Sequence, residues 1–494
     1  MRISSSMIYA AGSSQIDNLQ AQLLHTQEEI SSGSSILTPA DNPVNAAQAL
    51  IVTQSQSDNT QYLANGQSAT NSLSQEETTL QSVTTLIQNA QTAIVDAGNG
   101  SFTLQQRQAI ATSLQGSYQQ LLGLANSQDG NGNYLFSGYQ SGSAPFSATA
   151  TGAQYNGDQG QTIVQVGISQ QMAIGDSGNS VFENNVTGNG TFTTAAGAAN
   201  AGSGIVSSGS VVNAAALTGD TYSVTFSGIQ ATPAGTNTGT GAISSPTISD
   251  ASLLNGNSYN LNFHVGAGGT TYDVVNTTTG TTMTSGASYT QGQPITISGA
   301  QFNITGNPAD GDQFTMVANP TTYTVADLTN PASVTVPPAN QPYVAGQSIQ
   351  FDGLQFNVTG APSNGDSFSL APSAKQSVFT TLTSLINLLN TPTGTGVAGE
   401  TNLTNGLNTA SNNLSSALNN ILTVRASVGA RLNEVTALGT EGANLGLEYS
   451  SSLSSLQDLN YAQALSDYSQ QQTTLTAAQQ SFVKISNLSL FNYL

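Results

Sequence analysis

The chain has 494 residues, and 26 Asp and Glu against six Lys and Arg give it a net charge of −20. At roughly 100 to 200 residues per domain this length gives about three domains. A charge of about −0.04 per residue is too dilute to hold the chain unfolded by self-repulsion. No basic residue lies between Arg107 and Lys375, whereas twelve carboxylates do. Such a surface repels phosphate, so neither nucleic acid nor anionic lipid is an expected partner. The absence of Cys excludes disulfide frameworks and thiolate metal sites. The opening "MRISSSMIYAAGSSQ" lacks the apolar core of about 7 to 15 residues that a Sec-type signal requires. No stretch is long and apolar enough to predict membrane insertion, so export would need another route.

From Ile16 to about Gln128 the spacing is helical. Ile16, Leu19, Leu23 and Ile30 fall on one face. Leu73, Leu80, Ile87 and Ile94 then repeat every seven residues, with Val83, Ala90 and Ala97 interleaved, which is an a/d seam. Breaks are expected at "SSGSSILTPADNP" (31–43), where Pro39 and Pro43 forbid a continuous helix, and at "AGNGSFT" (97–103). A third helix follows through Ile110, Leu114, Tyr118, Leu121 and Ala125. "SQDGNGNYLFSGY" (127–139) ends it with turn residues and predicts a short aromatic strand.

Between about 146 and 373 the helical period gives way to Gly, Thr, Ser and Asn with alternating apolar residues, the pattern of strands and turns. "GQPITISGAQFNITGNPADGDQF" (292–314) matches "GQSIQFDGLQFNVTGAPSNGDSF" (346–368) at an offset of 54. A Gly-Asp or Gly-Asn turn followed by an aromatic residue occurs four times, in Gly219–Val224, Gly256–Leu261, Gly311–Met316 and Gly365–Leu370. Repetition at this scale predicts duplicated antiparallel β modules that bury each other's faces.

The helical period returns at Val378, Leu382, Leu385 and Leu389, and pauses at a Gly- and Pro-rich break over 391–399. Leu403, Leu407, Leu414, Ile421, Val428 and Val435 then mark a heptad seam with Ala410, Ala417, Val424 and Leu438 interleaved and Arg431 in one slot. Leu475, Phe482 and Ile485 resume it near the carboxyl end. A helix whose apolar stripe stays in water gains almost nothing from it, so this seam needs a partner, and the other sustained a/d seam is at 73–97. The two ends are therefore expected to pair. The expected fold is α+β and multidomain: amino- and carboxyl-terminal helices form a coiled-coil or helical-bundle stalk around an inserted β-rich middle. A parallel self-association through the same stripe is the competing arrangement.

Positions beside the seam hold Ser, Thr, Asn and Gln, as in "SNNLSSALNN" and "SQQQTTLTAAQQS". Burying a charge costs several kcal/mol unless it is paired, whereas hydroxyls and amides find partners readily. An uncharged flank thus suits helices covered by neighbouring subunits; a plain compositional preference for these residues is the simpler explanation. The thirteen seam residues (Leu73, Leu80, Ile87, Ile94, Leu403, Leu407, Leu414, Ile421, Val428, Val435, Leu475, Phe482 and Ile485) are the candidate assembly seam.

Catalytic chemistry is not indicated, and no cofactor or metal site is expected. His25 and His264 are the two histidines, and neither opens a metal-binding helix motif. Asp129, Asn131 and Asn133 mimic the first ligands of a calcium loop, but Tyr134 stands where Gly is needed and Gln140 where Glu is needed. Ser481 to Lys484 fits S-x-x-K without its companion motifs. The Gly-Asp turns read as hairpin corners.

"MRISSSMIY", "SSGSSILTPADNPVNAAQA" (31–49), "DGNGNYLFSGY" (129–139) and the closing "LNYAQALSDYSQQQTTLTAAQQSFVKISNLSLFNYL" (459–494) together resemble the flagellin-related family of hook-associated protein 3, which forms the hook-filament junction of the bacterial flagellum. Flagellin shares the terminal helices and is the nearest alternative; the 39–43 stretch, "NYLFSGY" and "LSLF" favour the junction family. The family often has Asp-Asp-Pro where this chain has Asp41, Asn42 and Pro43. The resemblance implies a terminal domain of 1–45 with 450–494, a helical-bundle domain of 46–145 with 375–449, and a variable β-rich region of 146–374. It further implies unfolded export through the flagellar type III apparatus and an export chaperone. It implies ring assembly between the first hook-associated protein and flagellin, in an extracellular location. An adhesive or antigenic role for the β region is the second alternative.

Overall fold

The computed structural model describes residues 5–332, 337–392 and 397–487; the "LSLF" ending lies outside them. The helices are α1 (Ser5–Ser32), α2 (Pro43–Ala97), α3 (Leu104–Ala125), α4 (Val378–Asn390), α5 (Val397–Gln457) and α6 (Tyr461–Asn487). The breaks expected at 31–43 and 97–103 separate α1 from α2 and α2 from α3. Two compact units form. The first takes residues up to Leu73, Ile163–Ile174 and everything from Ala430; the second takes Ser74–Thr162 and Gly175–Gly429.

In the first unit α1 packs along α6. Tyr9 meets Phe482 edge to face with ring centroids 6.0 Å apart. Gly12 lies so close that a Cβ there would sit 2.7 Å from the Phe482 ring. The Pro-rich break turns on Asn42, whose side chain accepts from the Asn45 N–H at 3.1 Å while Pro43 fills the first helical position. This is an N-cap followed by the one helical site where proline costs nothing, and it settles the polar contacts of the Asp-Asn-Pro variant. The break is tied to the α5–α6 turn by Ser35 N–H to Gln457 O at 2.7 Å and Leu459 N–H to Gly33 O at 3.0 Å. Early α2 and late α5 run antiparallel, shown by Gln56 to Ser450 at 3.1 Å and Asn59 to the Gly442 carbonyl at 2.8 Å.

In the second unit the late part of α2 and the early part of α5 are antiparallel as well. Arg425 Nε donates to Glu77 at 3.0 Å, and Gln91 reaches Ser415 at 3.1 Å. Around them α3 packs on α4, and α3 opens on a complete capping box between Thr103 and Gln106. Phe136, Phe146, Phe182 and Phe379 stack at the base of this bundle with centroids 5.2 to 6.0 Å apart. The aromatic strand expected at "NYLFSGY" does not form. Gly138 turns the chain at φ +71°, Tyr134 N–H reaches back to Ser141 O at 2.8 Å, and the Asp158 carboxylate holds the Tyr139 N–H at 2.9 Å. Only an isolated bridge, Gln128 to Tyr134, remains, and Phe136 is buried by the turn.

The 54-residue repeat belongs to two copies of one β module, each with its own core. In one copy the sheet runs Gln341–Pro342, Thr322–Asp327, Tyr222–Ser227, Ser367–Pro372 and Phe192–Ala196. In the other it runs Thr281–Ser288, Gly269–Asn276, Ser258–Gly266, Gln313–Val317 and Gln230–Pro233, the same order strand for strand. Each copy adds a smaller sheet in the same register, Ile349 opposite Phe356 in one and Ile295 opposite Phe302 in the other. Tyr343 and Tyr289 each donate to two carbonyls at 3.0 and 2.8 Å from equivalent places. In the second copy Ser258–Gly266 and Gly269–Asn276 are joined by a tight hairpin. In the first, the equivalent partners Tyr222–Ser227 and Thr322–Asp327 pair directly, yet the whole second copy lies between them in the chain. One module is thus inserted into the hairpin of its duplicate, which we call the host.

Candidate functional site

The seam residues fall into two classes. Leu73 and Val435 in the first unit, and Leu80, Ile87, Ile94, Leu403, Leu407, Leu414, Ile421 and Val428 in the second, are all buried within the chain. Their heptad spacing places them on facing sides of α2 and α5, so the chain itself covers the stripe, and any contact with another molecule must use other faces. Leu475 and Phe482 are only half-buried, and Ile485 is 48% exposed.

The same contrast holds for α1. Ile16, Leu19, Leu23 and Ile30 face α6 but stay half-buried, because a two-helix pair covers only one side of each stripe. Around this face Met7, Leu24, Leu465 and Val483 are exposed, Leu24 at 58% and Leu465 at 55%. Leu50 and Ile51 on α2 and Leu447 on α5 are exposed in the same unit. Sequence reasoning passed over these residues because they fall off the strict a/d positions; their signal is an apolar side chain in an otherwise Ser-, Gln- and Asn-rich flank. These exposed apolar side chains are the candidate contact residues of the first unit.

Polar groups in the first unit set the shape of that surface. His25 lies 3.4 Å from Glu29 and 3.2 Å from Asp41, linking the end of α1 to the Pro-rich break. Asp41 accepts from the Thr38 N–H at 2.7 Å and the Leu37 N–H at 3.0 Å. The Thr38 N–H, with help from His25 and against some burial, holds its carboxyl below the usual range. A cavity of about 790 Å³ opens between early α2, late α5 and the hairpin of Ile163–Gln165 and Gln171–Ala173, lined by Leu63, Val435, Leu438 and Leu445 with Asp58 and Glu441.

The other sequence candidates have structural partners. Asp129 accepts from the Asn131 and Asn133 N–H groups, both at 2.8 Å. Burial pushes its carboxyl up, but these donors outweigh it and hold the group below its ordinary value. His264 stands in a strand 3.1 Å from Asp273. Ser481 and Lys484 are exposed on α6. In the second unit Arg425 is held charged by its hydrogen bonds to Glu77, which neutralises the one charge in the seam stretch 403–428.

Comparison with known proteins carries this further. Residues 3–141 match the bacterial flagellin N-terminal helical region. The chain is 43% identical over 189 residues to flagellar hook-associated protein 3 of Salmonella typhimurium, covering 38% of this chain and 59% of that protein. It is 41% identical over 183 residues to flagellar hook-associated protein 3 of Escherichia coli, covering 37% and 57%. The matched stretch thus spans between half and two thirds of those relatives. Its fold is similar to the crystal structure of flagellar hook associated protein-3 from Legionella pneumophila, with a TM-score of 0.58 and 25% identity over 82% of this chain and 98% of that one. These relatives are structural flagellar proteins, not enzymes. The resemblance to hook-associated protein 3 is found both in sequence and in fold.

Proposed function

We propose that the chain is a structural subunit of the bacterial flagellum that joins hook to filament. Its place is extracellular, in association with hook and filament components. In the finer reading it passes unfolded through the flagellar type III apparatus with the help of an export chaperone. It then assembles as a ring, with the first hook-associated protein on one side and flagellin on the other. The three-part division 1–45 with 450–494, 46–145 with 375–449, and 146–374 describes its working parts: polymer contact, rigid bundle and variable display.

The observation that carries this reading is the terminal pair α1–α6, whose apolar faces stay half-covered beside a flank rich in Ser, Gln and Asn, in a chain 43% identical over 189 residues to a hook-associated protein. Half-covered apolar side chains are costly to leave in water and gain from neighbours. Deleting the gene should leave hooks that shed flagellin into the medium, with filaments restored by the intact gene. Intact filaments on the deletion strain would refute the junction role.

A further inference from the structure

Eight Asn-Gly pairs occur in the chain. Asn-Gly is the dipeptide in which an unhindered backbone nitrogen can reach the neighbouring amide carbon, because glycine has no Cβ in the way. The fold protects most of them. Gly66 and Gly406 lie inside α2 and α5, where the N–H closes the helical ladder. The N–H groups of Gly132, Gly190, Gly256 and Gly365 donate to the carbonyls of Asp129, Thr187, Ala318 and Phe226 at 2.8 to 3.2 Å. Asn156 is held by its own amide, which donates to Ser147 at 3.1 Å, and Gly157 is boxed in by Tyr155 and the Ser137 carbonyl.

Asn99–Gly100, in the turn between α2 and α3, differs on each count. Both residues are exposed. Among the described residues the Gly100 N–H has no acceptor. The Asn99 side-chain oxygen accepts from the Ser101 N–H at 3.0 Å, and the Phe102 N–H closes the turn on the Asn99 carbonyl at 3.0 Å. A donor on the side-chain oxygen polarises the amide carbon and stabilises the oxyanion that forms when it is attacked.

We propose that Asn99 is a site of spontaneous deamidation in the folded protein, and that it reacts ahead of the other Asn-Gly pairs. Hydroxide removes the Gly100 amide proton, and the nitrogen attacks Asn99 Cγ. The Cγ–Nδ2 bond breaks, ammonia leaves, and a five-membered succinimide remains. Water then opens either carbonyl to give aspartate or iso-aspartate. Either product places a negative charge just past the carboxyl end of α2, where the helix dipole and Asp96 disfavour it. The iso-aspartate form also adds a backbone atom that breaks the Phe102 bond. The α2–α3 turn is thereby loosened as the protein ages.

The test ages the full-length folded protein at mildly alkaline pH and maps it by chymotryptic digestion. The expected result is a gain of about one dalton that appears first in the peptide ending at Phe102, with iso-aspartate there detected by isoaspartyl methyltransferase labelling. Gly100→Ala is the control, since a Cβ at this position meets nothing within 4 Å and the variant should fold. It should slow the gain severalfold. An unmodified Asn99 in protein already deamidated at Asn131 or Asn156 would overturn the proposal. So would an equal rate at Asn99 in Gly100→Ala.

Discussion

The terminal pair α1–α6 and the bundle stretch of α2 and α5 use the same materials to different degrees of completion. Both carry apolar side chains at helical spacing and flanks of Ser, Thr, Asn and Gln. In the bundle, Leu80, Ile87, Leu414 and Ile421 have no exposed surface. In the terminal pair, Ile16, Leu19, Leu23 and Phe482 remain half-buried. The difference teaches that periodicity reports a need for cover without saying who supplies it. In the bundle α4 also packs on α5, with Leu388 against Gly406, whereas α1 and α6 have chiefly each other, and the remaining surface is available to other subunits.

The sharpest way to break this contrast is a charge in the completed seam. Ile421→Asp places a carboxylate where no water reaches, and it should cost roughly 4 kcal/mol or more. Thermal or urea unfolding of the purified protein measures this. A melt within a degree of the parent would contradict the seam. Smaller is the effect of a carboxylate that each β module encloses. Asp312 accepts from the N–H groups of Thr238 at 2.8 Å, Gly239 at 3.1 Å and Ala309 at 2.8 Å, and Asp366 does the same with Ala201 at 2.7 Å, Gly202 at 3.0 Å and Ser363 at 2.8 Å. Asp312→Asn keeps the shape but loses the charge, and should destabilise the inserted module by about 2 kcal/mol. Burial raises the Asp312 carboxyl, yet these donors prevail and hold it below its ordinary value. Its contribution is therefore present above the unfolded-state pKa and lost as pH falls through the lower folded value. Melting followed at decreasing pH should show the parent losing this stability in acid while Asp312→Asn shows a flatter profile; identical profiles would contradict the role of the carboxylate.

Smaller still should be the effect of replacing residues 228–321 with a short Gly-Asn turn that joins Ser227 to Thr322. The host strands already pair directly, so the shortened protein should melt within about 1 kcal/mol of the parent. Loss of the host module's strand signal in circular dichroism would contradict the nested arrangement.

Much of this architecture was legible in the sequence for physical reasons. Heptad spacing identified the buried seam residues of α2 and α5, since only a face turned to a partner keeps that repeat. Pro39, Pro43 and the Gly-rich 97–103 stretch marked the helix breaks because neither residue type sustains a helix. The nesting was not legible. The 54-residue offset links only the later strands of the two modules, while earlier pairs such as Tyr222 and Tyr259, or Gly219 and Gly256, are 37 apart, and no single period describes an insertion. The "NYLFSGY" turn was missed because alternating aromatics read as a strand until Asp158, 19 residues away from Tyr139, bends the chain. The incomplete cover of α1 and α6 was also hidden, since Ile16 and Leu19 keep the helical spacing of Ile421 and differ from it only in neighbours.

The most direct test of the account introduces Leu24→Asp together with Leu465→Asp. Both side chains are more than half exposed in the single chain, at 58% and 55%, so the isolated double variant should melt within about 0.5 kcal/mol of the parent. In a strain lacking the native gene it should be secreted yet fail to restore filaments. Normal filaments would show that this face meets no other subunit and would contradict the account.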